Sequence, residues 1–256
     1  MEFETVQGVD VPKIGLGTWK MPGKTCYLAV LSALELGYRH IDTAELYENE
    51  KEVGRAMADS GVPRSEIFLV TKVMSSHLSH AEMLKAAQGS LRRLGLDQID
   101  VYLVHWPNSR VPIADTMRAM NKLVADGFVR LIGVSNFSIE EFEEAQAASE
   151  VRLFTNQVSY HVREPDDDLR TYCQRDDVLL TAYSPLARGR LARDRVLTAI
   201  GKRHGKTASQ VALRWAIQQE KVVAIPKSAS AERQHENLDV FDFELSPEDL
   251  ADSASL

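Results

Sequence analysis

IFLVTKVMSSHLSHAEMLKAAQGSLRRLGLDQIDVYLVH, residues 67–105, holds two short apolar runs separated by a segment of a different period. The runs 67–73 and 99–105 are rich in Val, Ile, Leu and Tyr, and their length suits strands better than helices. Between them, in AEMLKAAQGSLRRL, apolar residues return every three or four positions, as one face of an amphipathic helix requires. Strands that are apolar almost throughout must be covered on both faces. That condition favours parallel pairing with a helical crossover.

The same alternation extends in both directions. KIGLGTW near 13, YRHIDT near 38, VRLIGVS near 129, FTNQVSY near 154, VLLTAYS near 178 and VVAIPKS near 222 bring the candidate strands to eight. YLAVLSALEL and IADTMRAMNKLV supply further helical periods, and the gap before the eighth strand has room for two helices. Eight strand–helix units in one chain of this length predict a closed (β/α)8 TIM barrel, one domain over 1–256. A hairpin from FETVQGVDVPK precedes it. An open doubly wound sheet is the alternative. Helix starts are marked by Ser65, Ser79, the capping box TASQ at 207–210, and Ser246 before a short last helix.

Composition narrows the class. At 256 residues, 44% hydrophobic and 26% charged, the chain suits a globular protein with a sizeable core. Its net charge of -7 argues against general nucleic-acid binding, which needs clustered cations, so an anionic ligand must meet a local basic patch. No apolar stretch is long enough to span a membrane, and MEFETVQGVD does not read as a secretory signal; a cytoplasmic monomer is expected. Cys26 and Cys173 lack metal-site or disulfide spacing and read as packing residues.

Each candidate strand after the first finishes on a polar residue: Asp42, Lys72, His105, Ser135, Gln157, Tyr183 and Lys227. The first three stand 30 and 33 residues apart, about one strand–helix repeat, so the same end of successive strands is marked. In a barrel this end binds ligands. The stretch HIDTAELYENEK, 40–51, adds Tyr47 at the same rim. A phenol is a poor acid near neutral pH unless an ammonium stabilises its phenolate, and a buried lysine keeps its charge only beside a carboxylate. Tyr47, Lys72 and Asp42 meet those needs, and His105 can hydrogen-bond a substrate oxygen. The set lacks a nucleophile beside a base and has no GxSxG elbow. It fits an acid facing an oxygen that gains negative charge, as in carbonyl reduction by hydride from a cofactor.

These residues resemble the aldo-keto reductases, of the small bacterial diketogluconate or methylglyoxal reductase type. GYRHIDTAELYENEKEVG at 37–54, VHWP at 104–107, GVSNF at 133–137 and IPKSASAERQHENLDV at 225–240 carry the likeness, collinear from about residue 5 to 250. The resemblance implies a catalytic tetrad of Asp42, Tyr47, Lys72 and His105, with Tyr47 as general acid. It implies a nicotinamide cofactor whose carboxamide meets Ser135, Asn136 and Gln157, whose ring stacks on Tyr183, and which also touches Thr18, Ser184 and Leu186. Lys227, Ser228 and Arg233 place two cations and a hydroxyl at a helix start, which suits an adenosine phosphate and favours NADPH over NADH; Glu236 and Asn237 would lie near the adenine. Trp19 and Trp106 would wall the substrate mouth, with core packing as the other reading.

Two departures from the family pattern leave the substrate open. Met74, expected in the substrate pocket with Trp19, Tyr47, His105 and Trp106, stands where many relatives have tryptophan and would make the mouth softer, and the tail that in many relatives folds over the substrate is nearly absent. Small aldehydes and α-keto carbonyls, keto-sugars among them, are the expected substrates. Other signals carry less. GLG at 15–17 lacks the third glycine of a phosphate loop, and YENEK fits a short-chain dehydrogenase pattern whose other parts are missing. His77 and His80 lack further ligands for a metal, so no metal is expected, and REPDDDLR at 163–170 reads as an acidic helix start. A Schiff-base lyase using Lys72 and a non-catalytic NADPH-binding barrel are the rival functions.

Overall fold

The computed structural model describes residues 1–254 and 256. A hairpin opens the chain: β1 (Phe3–Val6) and β2 (Val9–Pro12) pair antiparallel through a two-residue turn. Gln7 and Gly8 both have positive φ, 49° and 77°, the geometry that matches the twist of the flanking strands. The predicted barrel follows. Its strands are β3 (Leu16–Gly17), β4 (His40–Asp42), β5 (Phe68–Val73), β6 (Ile99–Val104), β7 (Val129–Ser135), β8 (Thr155–Ser159), β9 (Leu179–Tyr183) and β10 (Val222–Ile225). They lie in sequence order and pair in parallel throughout, so the open-sheet alternative falls.

Helices α1 (Gly23–Glu35), α2 (Glu50–Asp59), α3 (His80–Leu94), α4 (Ile113–Ala125), α5 (Ile139–Ala147) and α6 (Asp167–Arg175) each cross between successive strands. The seventh crossover carries two, α7 (Arg195–His204) and α8 (Ala208–Ile217), and α9 (Ala231–Leu238) and α10 (Pro247–Ser253) follow β10. The expected capping box forms at Thr207 and Gln210, and Ser246 caps α10 in the same way. Asp166 caps the acidic start of α6.

The closing seam explains GLG. Backbone bonds from Gly15 to Ala224 (2.9 Å) and from Gly17 to Pro226 (3.2 Å) join the first strand to the last. A Cβ on Gly17 would lie 2.8 Å from the Ile225 carbonyl oxygen, so two backbones pass where no side chain fits. These glycines are a barrel seam. Gly17→Ala is expected to lower stability by about 1–3 kcal/mol, because backbone must move to admit the methyl group. Urea unfolding would measure it, and an unchanged midpoint would contradict the seam's tightness.

Strand alternation then sorts the core. Leu69, Val73, Tyr102, Val104, Leu180, Ala182, Val222 and Ala224 pack in the layer shared with the helices. Phe68, Val70, Val101, Leu103, Leu179 and Val223 form an inner cluster together with Val6 and Val11 of the hairpin, which plugs one end. Side chains two residues apart share a face. Continuing the inner columns upward from Phe68 and Val70 reaches Lys72; from Val101 and Leu103, His105; from Val223, Ile225 and then Lys227. Polar chemistry at the open end is the top layer of the same columns that fill the barrel.

Candidate active site

The strand-end carboxylate of Asp42 is 2% exposed and the side chain of Lys72 is fully buried, so neither is paired by bulk water. Lys72 Nζ donates to Asp42 Oδ1 at 2.6 Å and to the Thr43 carbonyl oxygen at 2.8 Å. The other Asp42 oxygen accepts from Gln157 Nε2 at 2.8 Å. Burial, the largest single influence, would drive the Lys72 proton off, but the charge and hydrogen bond of Asp42 together with those of Tyr47 outweigh it and the lysine pKa ends above its ordinary value. An ammonium has three donors, and two are committed to Asp42 and Thr43. What remains of its field acts on Tyr47, whose ring centre lies 5.1 Å from Nζ.

Tyr47 sits in a short 3-10 turn, Glu45–Tyr47, directly after β4. Burial raises its phenol above the ordinary value, while the charge and hydrogen-bonding approach of Lys72 pull it down. The sequence argument expected a net lowering. The structure reverses that sign because desolvation of the phenolate exceeds the help from an ammonium already engaged by Asp42. The phenol therefore holds its proton at neutral pH, and the ammonium lowers the cost of releasing it.

His105 is 3% exposed and meets the Tyr47 ring edge-on at 5.7 Å. Burial, with the nearby Lys72 charge, drives its pKa down to about 3, so the imidazole is neutral. Among the described residues its buried Nδ1 has no hydrogen-bond partner. Leaving that nitrogen unprotonated places the single N–H on Nε2, available to a ligand. Trp106 stacks on the ring at 3.9 Å.

One cavity of about 1100 Å³ joins these groups to the rest of the rim. Of the residues singled out in the sequence, Trp19, Asp42, Tyr47, His105, Trp106, Ser135, Asn136, Gln157, Tyr183, Ser184, Leu186, Lys227, Ser228, Arg233, Glu236 and Asn237 line it. Three do not. Lys72 lies beneath Asp42 and Tyr47 as a buried support; Thr18 is fully buried, its hydroxyl donating to the Asp42 carbonyl oxygen at 2.9 Å; Met74 is not part of the lining. Trp19 and Trp106 are 39% and 41% exposed, which settles against core packing for both.

The polar wall is internally ordered. Ser135 Oγ donates to the Gln157 carbonyl oxygen at 2.8 Å, and the Tyr183 hydroxyl donates to Asn136 Oδ1 at 2.8 Å. Asn136 holds a left-handed φ of 63°, supported by its Nδ2 donating to the His105 carbonyl oxygen at 3.0 Å. At the other end, Ser230 caps α9 beside Ser228 and Arg233. Sequence reading missed Lys20, Arg188, Arg190 and Arg193, which also line the cavity. The run ARGRLAR, 187–193, was a visible basic signal, but its contact with the cavity depends on a 3-10 segment that turns through left-handed Arg188 and Gly189.

Six cationic side chains and only two carboxylates line the cavity, in a chain whose net charge is -7. Such a lining suits a polyanion. The volume exceeds the roughly 300–1,000 Å³ of an ordinary small-molecule site, so an extended ligand and a second small molecule fit together. The donors and cations present thus fit a phosphate-bearing dinucleotide. Among the described residues no group of His, Cys, Asp and Glu is placed to hold a metal ion, and no helix is long and apolar enough to cross a membrane.

Comparison with known proteins agrees with this arrangement. Residues 13–256 match the model of the Aldo/keto reductase family. A glyoxal reductase of Bacillus subtilis (strain 168) is 44% identical over 244 residues, 95% of this chain and 88% of that protein. An aldo-keto reductase of Mycolicibacterium smegmatis is also 44% identical, over 97% of this chain and 90% of its own length. A solved structure assigned provisionally as a 2,5-diketo-D-gluconic acid reductase B superposes with a TM-score of 0.97 at 41% identity, covering 100% of this chain and 91% of that one.

Proposed function

Because the chain belongs to the aldo/keto reductase family, we propose that it reduces small aldehydes and α-keto carbonyls, keto-sugars among them, to alcohols with NADPH as reductant. One observation carries the reading: a protonated phenol, a neutral imidazole and a buried ammonium–carboxylate pair converge on a cavity whose charged residues are mostly cations.

The dinucleotide, when bound, supplies a hydride to the carbonyl carbon. The protein supplies the rest. His105 Nε2–H holds the carbonyl oxygen, and Tyr47 gives that oxygen a proton as charge develops on it. Lys72 stabilises the resulting phenolate, and Asp42 keeps Lys72 charged and aimed. Ser135, Asn136 and Gln157 would hold the carboxamide; since Gln157 Nε2 is engaged by Asp42, its Oε1 would be the group left to receive it. Tyr183 would stack on the nicotinamide ring and leave one face of it to the substrate. Of the lining residues, Ser184, Leu186 and the adjoining arginines would accompany the diphosphate, Lys227, Ser228 and Arg233 the 2′-phosphate, and Glu236 and Asn237 the adenine. Trp19 and Trp106 form the apolar rim that a small carbonyl crosses.

The lyase reading suffers from the state of Lys72. A Schiff base needs a free, approachable amine, whereas this side chain is fully buried and held charged by Asp42. Loss of NADPH absorbance with small aldehydes, α-dicarbonyls and keto-sugars tests the function directly; no turnover across such a panel would sink it. Replacing Lys227 and Arg233 together by Ala is expected to raise KM for NADPH more than about tenfold while changing NADH little, since each charge-assisted hydrogen bond is worth about 1.5–3 kcal/mol. Equal weakening of both cofactors would contradict the 2′-phosphate assignment.

A further inference from the structure

The turn that carries Tyr47 is tied to its surroundings on two sides. On one, Thr43 Oγ1 donates to Asn49 Oδ1 at 2.7 Å, and Asn49 Nδ2 donates to the carbonyl oxygens of Thr18 and Met21, both at 3.0 Å. This closes the loop and fastens it to the segment after β3. On the other side stands Glu45, the first residue of the turn. One of its carboxylate oxygens accepts the Met74 backbone N–H at 3.0 Å, and His77 Nδ1 lies 3.1 and 3.2 Å from the two oxygens. Met74 and His77 belong to the bend directly after β5, the strand that bears Lys72.

We propose that Glu45 is a positioning residue for Tyr47, a clamp that sets the distance between the turn bearing the acid and the strand bearing Lys72. The inference rests on Tyr47 being the general acid. The Glu45 side chain is 13% exposed, so its bonds are partly shielded from competing water. Beyond Tyr47 the chain leaves through Glu48 in the left-handed conformation, φ 55°, a sharp change of direction that does not itself hold the turn against β5. Releasing Glu45 lets the phenol drift from the ammonium that stabilises its conjugate base. Proton transfer is sensitive to such drift: a misplacement near 1 Å can cost about a hundredfold in rate. His77, which joins no metal-holding group among the described residues, and Met74, outside the cavity lining, both acquire a role through this carboxylate.

Glu45→Ala, Glu45→Gln and His77→Ala would be compared with the native protein and with Tyr47→Phe. In Glu45→Ala, kcat for a small aldehyde is expected to fall about tenfold, with the solvent deuterium isotope effect on kcat rising as proton transfer becomes slower. NADPH affinity, read by fluorescence titration, should stay within about twofold, because no cofactor-facing group has changed. Glu45→Gln keeps an acceptor for the Met74 N–H and should recover most of the rate; His77→Ala should cost less than Glu45→Ala. A kcat in Glu45→Ala within about twofold of native would overturn the clamp, as would an equal loss in Glu45→Gln accompanied by a lowered melting temperature. If Tyr47→Phe keeps its turnover, the acid assignment fails and this inference with it. If Tyr47→Phe is dead and Glu45→Ala is normal, only the clamp fails.

Discussion

Tyr47→Phe is expected to lower kcat for aldehyde reduction by about 10²–10⁴-fold, the range that a positioned general acid contributes. The phenylalanine keeps the ring against His105 and over the Lys72 ammonium, so packing changes little. What disappears is one hydroxyl, and with it the proton that the incoming alkoxide needs. Burial holds that proton in place before reaction, as the proposed role of donor requires. NADPH should bind the variant as before. Steady-state kinetics beside cofactor titration checks both halves, and near-normal turnover would show that another group supplies the proton.

Lys72→Met should be as damaging to catalysis and more damaging to the fold. The thioether chain fills similar space, but it leaves the Asp42 carboxylate, 2% exposed, facing Gln157 without its counter-charge. Breaking one side of a buried pair typically costs about 3–5 kcal/mol, because the stranded charge is not re-solvated. Removing the second charge should restore the stability and not the activity. Lys72→Met combined with Asp42→Asn is therefore expected to recover much of the stability while remaining inactive. Urea unfolding of the single and double variants, paired with kcat, separates the two effects; a double variant as unstable as the single one would place the cost elsewhere than in the stranded carboxylate.

Much of the fold was legible because its signals are local. Every one of the eight strands contains residues that the apolar runs marked, and the polar ends of those runs lie at one rim. GLG shows where such reading stops short. Its spacing shows only what it lacks, whereas its structural purpose lies in the Ile225 backbone more than two hundred residues away. Thr18 and Met74 show a second limit. A motif places a residue beside a site without saying which way its side chain turns, and Thr18 turns to the Asp42 carbonyl oxygen. The sign of the Tyr47 shift shows a third, because it depends on how far burial and a neighbouring ammonium cancel, which no sequence spacing encodes.

By itself, the chain's alternation of apolar runs and helical periods determined eight parallel strand–helix units and put Asp42, Lys72, His105 and Lys227 at the same end of their strands. Side-chain direction in a strand repeats every two residues, so that result needs nothing from distant parts of the molecule. Closure of the barrel decided the rest: Gln157 on Asp42 across 115 residues, Glu45 against His77 from the next strand's bend, and the arginines of 187–193 over the cavity. Those pairings depend on the distance between elements once the ring of strands is complete, and such distances exist only in three dimensions.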